Sequence, residues 1–221
     1  MRIAIFTLTD DPFEAPGVGG HGGSHVVMFD MGRHFVRAGA KVVFVTRRDR
    51  PGKNEREKVG EGCEIVRLKG GPTSEVPYYE CGAYIDEIID AAKSLPELCP
   101  DKIDRLVSYN WISGECVRRL YLDSGIPHIH CVLALARVRL ANGESPNKVS
   151  ELWQECELKV LTSADQIVTC SRNELAELTH LYPEVDPSRL RCIPLGVDTD
   201  VFGIRPLSSD HYLRRTTTRF A

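Results

Sequence analysis

The chain has 221 residues, of which 42% are hydrophobic and 27% charged, and its formal net charge is −3. This balance is typical of a globular protein with one large α/β domain or two small ones. The negative charge argues against a general nucleic-acid or anionic-membrane binder, and no apolar run approaches the ~20 residues of a membrane span. The opening MRIAIFTLTDD lacks the apolar core of a signal peptide, so we expect a cytoplasmic protein with no nucleic-acid partner and no integral membrane segment.

The eight cysteines are spread along the chain and include no C-x-x-C pair. Without that spacing, a zinc site is not expected. Several cysteines, such as Cys131 and Cys170, lie in apolar runs that resemble strands. We interpret them as buried free thiols in a reducing cytosol.

Short apolar runs and amphipathic segments alternate along the chain, which predicts alternating strands and helices. In chain order these are a strand at 2–8, a helix at 24–38, strands at 41–46 and 63–68, a helix at 84–95, a strand at 105–110, a helix at 113–122, a strand at 127–133, a helix from about 146 to 163, a strand at 166–171, a helix from 172 to about 181 and a strand at 190–196. The pattern predicts an α/β fold with a doubly wound, Rossmann-like parallel sheet in a single domain. Ligands of such sheets bind at the carboxyl ends of the strands.

Local signals mark some of the element boundaries. Ser145 followed by proline predicts the start of the helix that ends near residue 163. Ser171 and Glu174 form the S-x-x-E pattern of a capping box at the start of the next helix. The charged segment 47–58 contains no aliphatic residue, so we predict that it forms a solvated loop.

A glycine-rich segment, GVGGHG at 17–22, precedes the first predicted helix. Its letters satisfy G-x-G-x-x-G, but eight residues separate it from the end of the first strand, and the second strand ends in TRR rather than in an acid. Both features disfavour a dinucleotide site, although the double arginine leaves binding of an NADP 2′-phosphate as an alternative. The free amides at the start of the following helix suit a phosphate, while a loop that merely turns is the structural alternative.

Six segments, taken in order, carry a resemblance to a known family. They are PGVGGHGGSHV (16–26), YNWISG (109–114), HCVLALARVR (130–139), ANGESP (141–146), SADQIVTCSRNELAEL (163–178) and IPLGVDTDVF (193–202). These segments are similar to motifs in the N-terminal half of the retaining family 4 glycosyltransferases, which have the GT-B fold. The chain resembles most the branch that holds the sucrose-phosphate synthases and the mycothiol-pathway glycosyltransferase.

The resemblance implies transfer of a hexosyl group from a nucleotide sugar, UDP- or GDP-linked, with retention of anomeric configuration. It implies no metal, no further cofactor and no catalytic residue in this half. The first loop of the family reaches the donor phosphates, and the matching positions are Gly19, Gly22, Gly23 and Ser24. The N-terminal domain mostly holds the acceptor, here a sugar or sugar phosphate, and the matching positions are His25, Asn110, Trp111, His130, Arg137 and Arg139.

Each of these assignments has a plainer structural alternative. Trp111 is either a stacking wall for a sugar ring or a core aromatic, and His130 is either an acceptor contact or a satisfied core histidine. Arg137 and Arg139 either bind an acceptor phosphate or carboxylate or form a solvated rim. Glu157, which matches the helical glutamate of the family, is otherwise interpreted as part of a surface ion pair.

The sequence departs from the family pattern at several polar positions. The second histidine of the H-T-x-H motif falls on Leu133, whose side chain cannot donate a hydrogen bond. The tyrosine of H-Y-W falls on Asn110, and the asparagine of the first helix falls on His25. The arginine that precedes the helical glutamate falls on Trp153. These substitutions imply a different acceptor or weakened catalysis.

The resemblance assigns residues 1–202 to the N-terminal domain, whereas residues 203–221 resemble no part of the donor-binding domain. A complete enzyme would need roughly as many residues again, given the usual size of an α/β domain. We therefore expect a missing or separate donor-binding half as the partner, and we expect the isolated chain to be inactive. The chain is then a fragment, a subunit of a split enzyme, or a non-catalytic subunit that binds a sugar or a partner.

Overall fold

The structure is a computed structural model that describes residues 1–14 and 23–197. Strands and helices alternate, with additional short 3₁₀ turns between them. The strands are β1 (Arg2–Phe6), β2 (Lys41–Arg47), β3 (Arg56–Gly60), β4 (Cys63–Leu68), β5 (Arg105–Tyr109), β6 (His128–Cys131), β7 (Gln166–Thr169) and β8 (Leu190–Cys192). The helices are α1 (Gly23–Arg37), α2 (Ile85–Lys93), α3 (Asn110–Tyr121), α4 (Ala136–Ala141), α5 (Glu151–Ser163) and α6 (Arg172–Leu181).

The strands form one eight-stranded sheet in the order β3-β4-β2-β1-β5-β6-β7-β8. All neighbouring strands are parallel except β3, which pairs with β4 in the antiparallel direction. The chain runs from β1 through β2, β3 and β4 on one side of β1 and then crosses to β5 on the other side, so the order reverses at β1. The predicted doubly wound sheet is confirmed, and its carboxyl edge beside β1 is the place where ligands of such folds bind.

Both faces of the sheet are buried, which explains why the central strands are apolar throughout. Phe6 and Val45 pack into the cluster formed with α2, α3 and α5, whereas Ile5 and Phe44 pack into the cluster on the side of α1. Helix α1 lies so close to β2 that a Cβ on Gly32 would stand 2.2 Å from Phe44 Cζ. A third cluster joins the ends of β6 and β7 to α6.

Two boundary predictions are wrong. The predicted loop at 47–58 contains the start of β3, where Arg56 pairs with Val66. An edge strand can be charged and solvated, so it needs no apolar pattern and even benefits from its charges. The predicted helix from residue 146 begins only at Glu151, where the Ser150 side chain accepts a hydrogen bond from the Trp153 amide at 3.2 Å.

The predicted helix start at Ser171 is confirmed. The Ser171 hydroxyl accepts from the Glu174 amide at 3.1 Å and so caps α6. Gly39 follows α1 with φ +84°, a left-handed conformation that suits glycine at a helix end. All eight cysteines are free thiols, as expected, and Cys131 is buried, but the predicted burial of Cys170 is wrong because that residue is only half-buried.

No helix within the described part of the chain is both long and apolar enough to cross a membrane. Within the same residues, no cluster of three or more His, Cys, Asp or Glu side chains could hold a metal ion. The predicted domain end at residue 202 and the tail at 203–221 lie outside the described residues.

Candidate functional site

A cavity of about 480 Å³ opens at the carboxyl ends of β1 and β2, beside the point where the strand order reverses. It is lined by residues 8–11 after β1, by Thr46, Arg47 and Asp49 at the end of β2, and by residues 75–78 and Cys81. We call it the strand-end cavity. Its position agrees with the rule that places ligands at the carboxyl edge of a parallel sheet.

The turn after β1 is held by hydroxyl groups. The Thr7 hydroxyl donates to the carbonyl of Asp10 at 2.8 Å. The Thr46 hydroxyl lies within hydrogen-bond distance of two carbonyls of this turn, at 2.9 Å from that of Thr7 and 3.0 Å from that of Asp10. These bonds tie the end of β2 to the turn and fix the floor of the cavity.

Asp11 is buried beside this turn and is paired with two cations. Its Oδ2 atom lies 2.8 Å from Arg67 Nε and 3.0 Å from Lys53 Nζ. Burial alone would raise the pKa of Asp11, but hydrogen bonds from Arg67 and the Phe13 amide, the charge of Arg67 and a hydrogen bond from Lys53 outweigh it and lower that pKa. Asp11 is therefore a charged, fully engaged structural group.

Arg47 lines the cavity, but its guanidinium is bound to backbone carbonyls of the segment that follows β4. Its guanidinium donates to the carbonyls of Pro72 and Ser74, both at 2.7 Å, and only 4% of the residue is exposed. This arrangement anchors the segment that follows β4. It also disfavours the NADP alternative, because a 2′-phosphate would need an exposed arginine at the end of β2.

Asn110 joins the turn after β1 to the start of α3. Its φ of 59° is left-handed, a conformation that asparagine tolerates better than most residues. Its Oδ1 accepts from the Ser113 amide at 3.1 Å, and its Nδ2 donates to the Thr9 hydroxyl at 2.7 Å. The Ser113 hydroxyl in turn accepts from the Leu8 amide at 2.9 Å. Asn110 therefore positions the cavity floor.

Three aromatic rings stand next to the cavity. Trp153 stacks on Trp111 with the ring centroids 6.0 Å apart, and Tyr78 meets Trp153 edge to face at 5.1 Å. Trp111 is only 1% exposed and belongs to the main core cluster. Its role in the structure is that of a core aromatic behind the cavity. Among the described residues, the Tyr78 hydroxyl and the Trp111 indole N–H are buried without a hydrogen-bond partner.

The histidines near the site are buried. The Ser108 hydroxyl lies 2.7 Å from His128 Nε2 and 2.8 Å from His130 Nδ1, and this serine links the two rings along β6. Burial lowers the pKa of His128 to about 4 and, together with its neighbour His128, that of His130 to about 3. His25 is also buried, with its Nε2 3.6 Å from Asp10 Oδ1.

Beyond β6, a buried glutamate organises the following helix. Glu157 is 1% exposed and accepts hydrogen bonds from the Ala136 amide and the Trp153 indole, both at 2.9 Å, and from the Tyr182 hydroxyl. Burial raises the pKa of Glu157, and the three hydrogen bonds oppose that rise. We call these four residues the Glu157 network. The interpretation of Glu157 as part of a surface ion pair is wrong, because Glu157 is buried. The sequence alone could not show that this face of α5 turns inward.

Two arginines predicted to bind the acceptor lie on α4. Arg137 forms two bonds of 2.9 Å with Glu184, and its guanidinium lies 4.6 Å from the Tyr182 ring centroid. Arg139 is less engaged: its nearest carboxylate, Glu144, is 3.7 Å away, and 41% of its side chain is exposed. Its guanidinium lies 5.6 Å from the Trp153 ring centroid, on the aromatic group beside the cavity.

The predicted donor-phosphate residues are only partly described. Gly19 and Gly22 lie outside the described residues. Gly23 is the first residue of α1 and is exposed, and Ser24 is half-buried. Among the described residues, a Cβ on Gly23 would have no neighbour within 4 Å.

Sequence reasoning did not identify Asp10, considered Arg47 only for an NADP 2′-phosphate, and did not identify Tyr78. The first two follow β1 and end β2, so the rule of carboxyl strand ends could have found them. Tyr78 stands ten residues beyond the end of β4, and no local pattern places it at the cavity.

Comparisons with known proteins agree with this geometry. Residues 21–201 match Glycosyltransferase Family 4. The chain is 30% identical over 220 residues to a D-inositol 3-phosphate glycosyltransferase of Acidothermus cellulolyticus, which covers 97% of this chain and 48% of that protein. It is 27% identical over 208 residues to the protein of that name from Corynebacterium efficiens, covering 91% of this chain and 48% of the relative.

Among solved structures, the fold is similar to that of a sucrose-phosphate synthase from Thermosynechococcus elongatus, with a TM-score of 0.85 and 20% identity over 97% of this chain and 52% of that one. It is more distantly similar to the Anabaena protein HepE in complex with UDP and glucose, with a TM-score of 0.57 and 11% identity over 98% and 50% of the two chains. The chain spans about half the length of the curated relatives it matches. It therefore belongs to Glycosyltransferase Family 4 and has the fold of one half of a GT-B glycosyltransferase.

Proposed function

We propose that this chain is the acceptor-side domain of a retaining glycosyltransferase, which transfers a hexosyl group from a UDP- or GDP-sugar to a polar acceptor. The observation that carries the proposal is the family match over residues 21–201, on a chain that spans about half of each relative. The partner is a donor-binding C-terminal half, and the reaction takes place in the cytoplasm. Residues 1–202 form the acceptor-side domain, followed by a linker at 203–221.

The donor phosphates bind at the start of α1, through Gly19, Gly22, Gly23 and Ser24. Unpaired amides and the partial positive charge of a helix N-terminus support this assignment. The helix begins close to the strand-end cavity, because His25 in its first turn lies 3.6 Å from Asp10. Donor and acceptor sites on this half would then be neighbours. The name of HepE, bound to UDP and glucose, is consistent with such a pair of substrates, and the relatives named for D-inositol 3-phosphate are consistent with a cyclic polyol as the acceptor scaffold.

The acceptor occupies the strand-end cavity. Asn110 holds the cavity floor, Trp111 and His130 support it from the core, and His25 and Arg139 lie at its margins. Arg137, which is bonded to Glu184, positions the start of α4. The contribution of this half to catalysis is orientation of the acceptor hydroxyl towards the donor sugar, with electrostatic stabilisation of the leaving phosphate. No metal is assigned to this half.

Calorimetric titration of the 221-residue chain with UDP and UDP-glucose, alone and with a separately expressed donor half of a relative, tests donor binding, and an assay of glucosyl transfer from UDP-glucose to myo-inositol, inositol 3-phosphate or glucose tests the reaction. Circular dichroism first verifies that both halves are folded. We expect no sugar transfer by the chain alone, and binding with transfer in the mixture. Transfer by the chain alone would overturn the expected inactivity, and no transfer by the folded mixture would count against the enzyme assignment.

A non-catalytic subunit that binds a sugar or a partner is the second candidate. Leu133, at the position of a family histidine, is half-buried and packs against the apolar cluster on the side of α1. It can neither donate nor accept a proton. Acceptor binding by the mixture without any transfer would favour this candidate, and a Leu133→His variant that gains transfer would identify the missing group.

A further inference from the structure

We infer that the strand-end cavity binds an uncharged, polyhydroxylated acceptor and discriminates against a phosphorylated one. The inference rests on the proposed function, because it takes the ligand of this cavity to be the acceptor of the transferred sugar. Its evidence is the set of charges on the cavity wall and the hydrogen-bonding groups there that have incomplete partners.

Four carboxylates line the cavity. Among the described residues, its lining holds the carboxylates of Asp10, Asp11, Asp49 and Glu75 and a single guanidinium, that of Arg47. Three of these carboxylates have cation partners: Asp11 lies 2.8 Å from Arg67, Asp49 lies 3.0 Å from Lys53, and Glu75 lies 2.9 Å from Arg50. Cations of the chain therefore neutralise these three carboxylates, which leaves Asp10 as the lining carboxylate to be considered for a ligand.

Asp10 is the carboxylate that has no lysine or arginine partner among the described residues. Its side chain is 22% exposed, and its contacts are the Thr9 hydroxyl at 3.0 Å and the His25 ring at 3.6 Å. Carboxylate oxygens have about four lone-pair sites, so Asp10 can still accept from ligand hydroxyls. Such charge-assisted bonds are stronger than bonds between neutral groups.

The cation on the cavity wall is not available for a phosphate. Arg47 donates from both terminal nitrogens to backbone carbonyls, at 2.7 Å to Pro72 and 2.7 Å to Ser74, and is 4% exposed. To bind an anion it would have to release the segment 70–74. An anionic ligand therefore finds no free guanidinium on the described wall of the cavity.

Tyr78 supplies a donor that matches a sugar oxygen. It lines the cavity, and its hydroxyl is buried with no hydrogen-bond partner among the described residues. Buried polar groups are normally hydrogen-bonded, so an unpaired hydroxyl at a cavity indicates an absent ligand or water. Its ring packs edge to face on Trp153, which fixes its direction. A carboxylate acceptor and a phenolic donor together match the alternating hydroxyls of a sugar or cyclic polyol.

Arg139 is the competing feature, because 41% of its side chain is exposed and its guanidinium lies 5.6 Å from the Trp153 ring centroid. If the acceptor were phosphorylated, this guanidinium would be the group that binds it. The proposal therefore requires that substitution of Arg139 leave the preference for uncharged ligands intact.

Ligand-observed NMR and calorimetry on the 221-residue chain test the inference with matched probes. These are myo-inositol and glucose against inositol 3-phosphate and glucose 6-phosphate. We expect each uncharged probe to bind at least tenfold more tightly than its phosphate ester. Asp10→Asn should weaken uncharged binding by about tenfold, the size of one lost charge-assisted hydrogen bond. Tyr78→Phe should weaken it several-fold, and Asp123→Asn, a change of an exposed carboxylate outside the cavity, should leave it unchanged.

Tighter binding of the phosphate esters that is lost in Arg139→Gln would overturn the inference, as would binding of neither class or an Asp10→Asn variant with unchanged affinities. Addition of UDP-glucose and the donor half separates this result from the proposed function. Transfer to the phosphorylated probes alone would keep the function and overturn the inference. Binding of uncharged probes that depends on Asp10, with no transfer, would keep the inference and count against the function.

Discussion

At the ends of β1 and β2, polar side chains surround an open cavity, whereas beyond β6 they bond to one another. Asp10 and Tyr78 retain unused hydrogen-bonding capacity at the cavity. Glu157 and Arg137, in contrast, are fully occupied by groups of the chain itself. The comparison separates polar residues that can serve a ligand from polar residues that hold the scaffold, although both kinds follow strands at the same edge of the sheet.

The largest effect is expected in the Glu157 network. Glu157→Leu leaves the Ala136 amide, the Trp153 indole and the Tyr182 hydroxyl without their acceptor, and each buried unsatisfied donor costs about 1–3 kcal/mol. We expect a loss of about 4 kcal/mol in the free energy of unfolding, measured by urea denaturation. Glu155→Leu, on an exposed face of the same helix, is the control. A loss below about 1 kcal/mol would show that the network does not hold α4.

The second-largest loss of stability is expected from the ion pair between Arg67 and Asp11 beside the cavity. Arg67→Met removes the closer of the two cations that pair with buried Asp11, which should cost about 3 kcal/mol in unfolding free energy because a buried charge loses its partner. Acid should reduce that cost, since the lowered pKa of Asp11 rises towards its ordinary value once Arg67 is absent. Arg48→Met, at an exposed pair with Glu55, serves as the control. A cost that does not change between pH 7 and pH 3 would contradict this account.

Acid should also weaken the core beside the site. His128 and His130 have folded-state pKa values of about 4 and about 3, below the ordinary value of 6.5, so the unfolded chain binds more protons below pH 6.5. Their contribution to stability is full above pH 6.5 and declines as pH falls towards 4. For His130 alone, the decline from pH 7 to pH 5 is about 2 kcal/mol.

Urea denaturation of the wild type and of His130→Gln at pH 7 and pH 5 measures the contribution of His130. That contribution is the difference between the two proteins in the stability lost on acidification. The variant should lose less stability than the wild type on acidification. His180→Gln, at an exposed position on α6, should behave like the wild type. Equal pH dependence in His130→Gln and the wild type would show that His130 is not held neutral.

The smallest effect is expected at Arg137. Its pair with Glu184 is partly exposed, with 31% and 43% of the two side chains accessible, so solvent screens it. Arg137→Met should cost about 1 kcal/mol or less, and 0.5 M NaCl should diminish the difference, because salt screens exposed charges. Glu184→Gln should reproduce the loss, and the double variant should lose little more than either single one. Additive losses would show that the two residues act independently.

The sequence predicted much of the scaffold because its signals are local. Alternating apolar runs indicated the parallel sheet, and Ser171 with Glu174 indicated the start of α6 correctly. It predicted less of the site, because burial of a polar residue depends on what packs against it. Asn110, Trp111 and His130 were identified through the family resemblance, and only the packed structure shows that all three are buried.

By itself, the sequence determined the fold class and the family, since periodicity, caps and motif order survive without knowledge of any contact. Tertiary structure decided which charges are free. Asp10 and Asp11 are adjacent in the chain and chemically identical, but Asp11 pairs with Arg67 and Lys53, whereas Asp10 has no lysine or arginine partner among the described residues. Electrostatic interaction depends on distance through space and on burial, and neither quantity is written in the order of the residues.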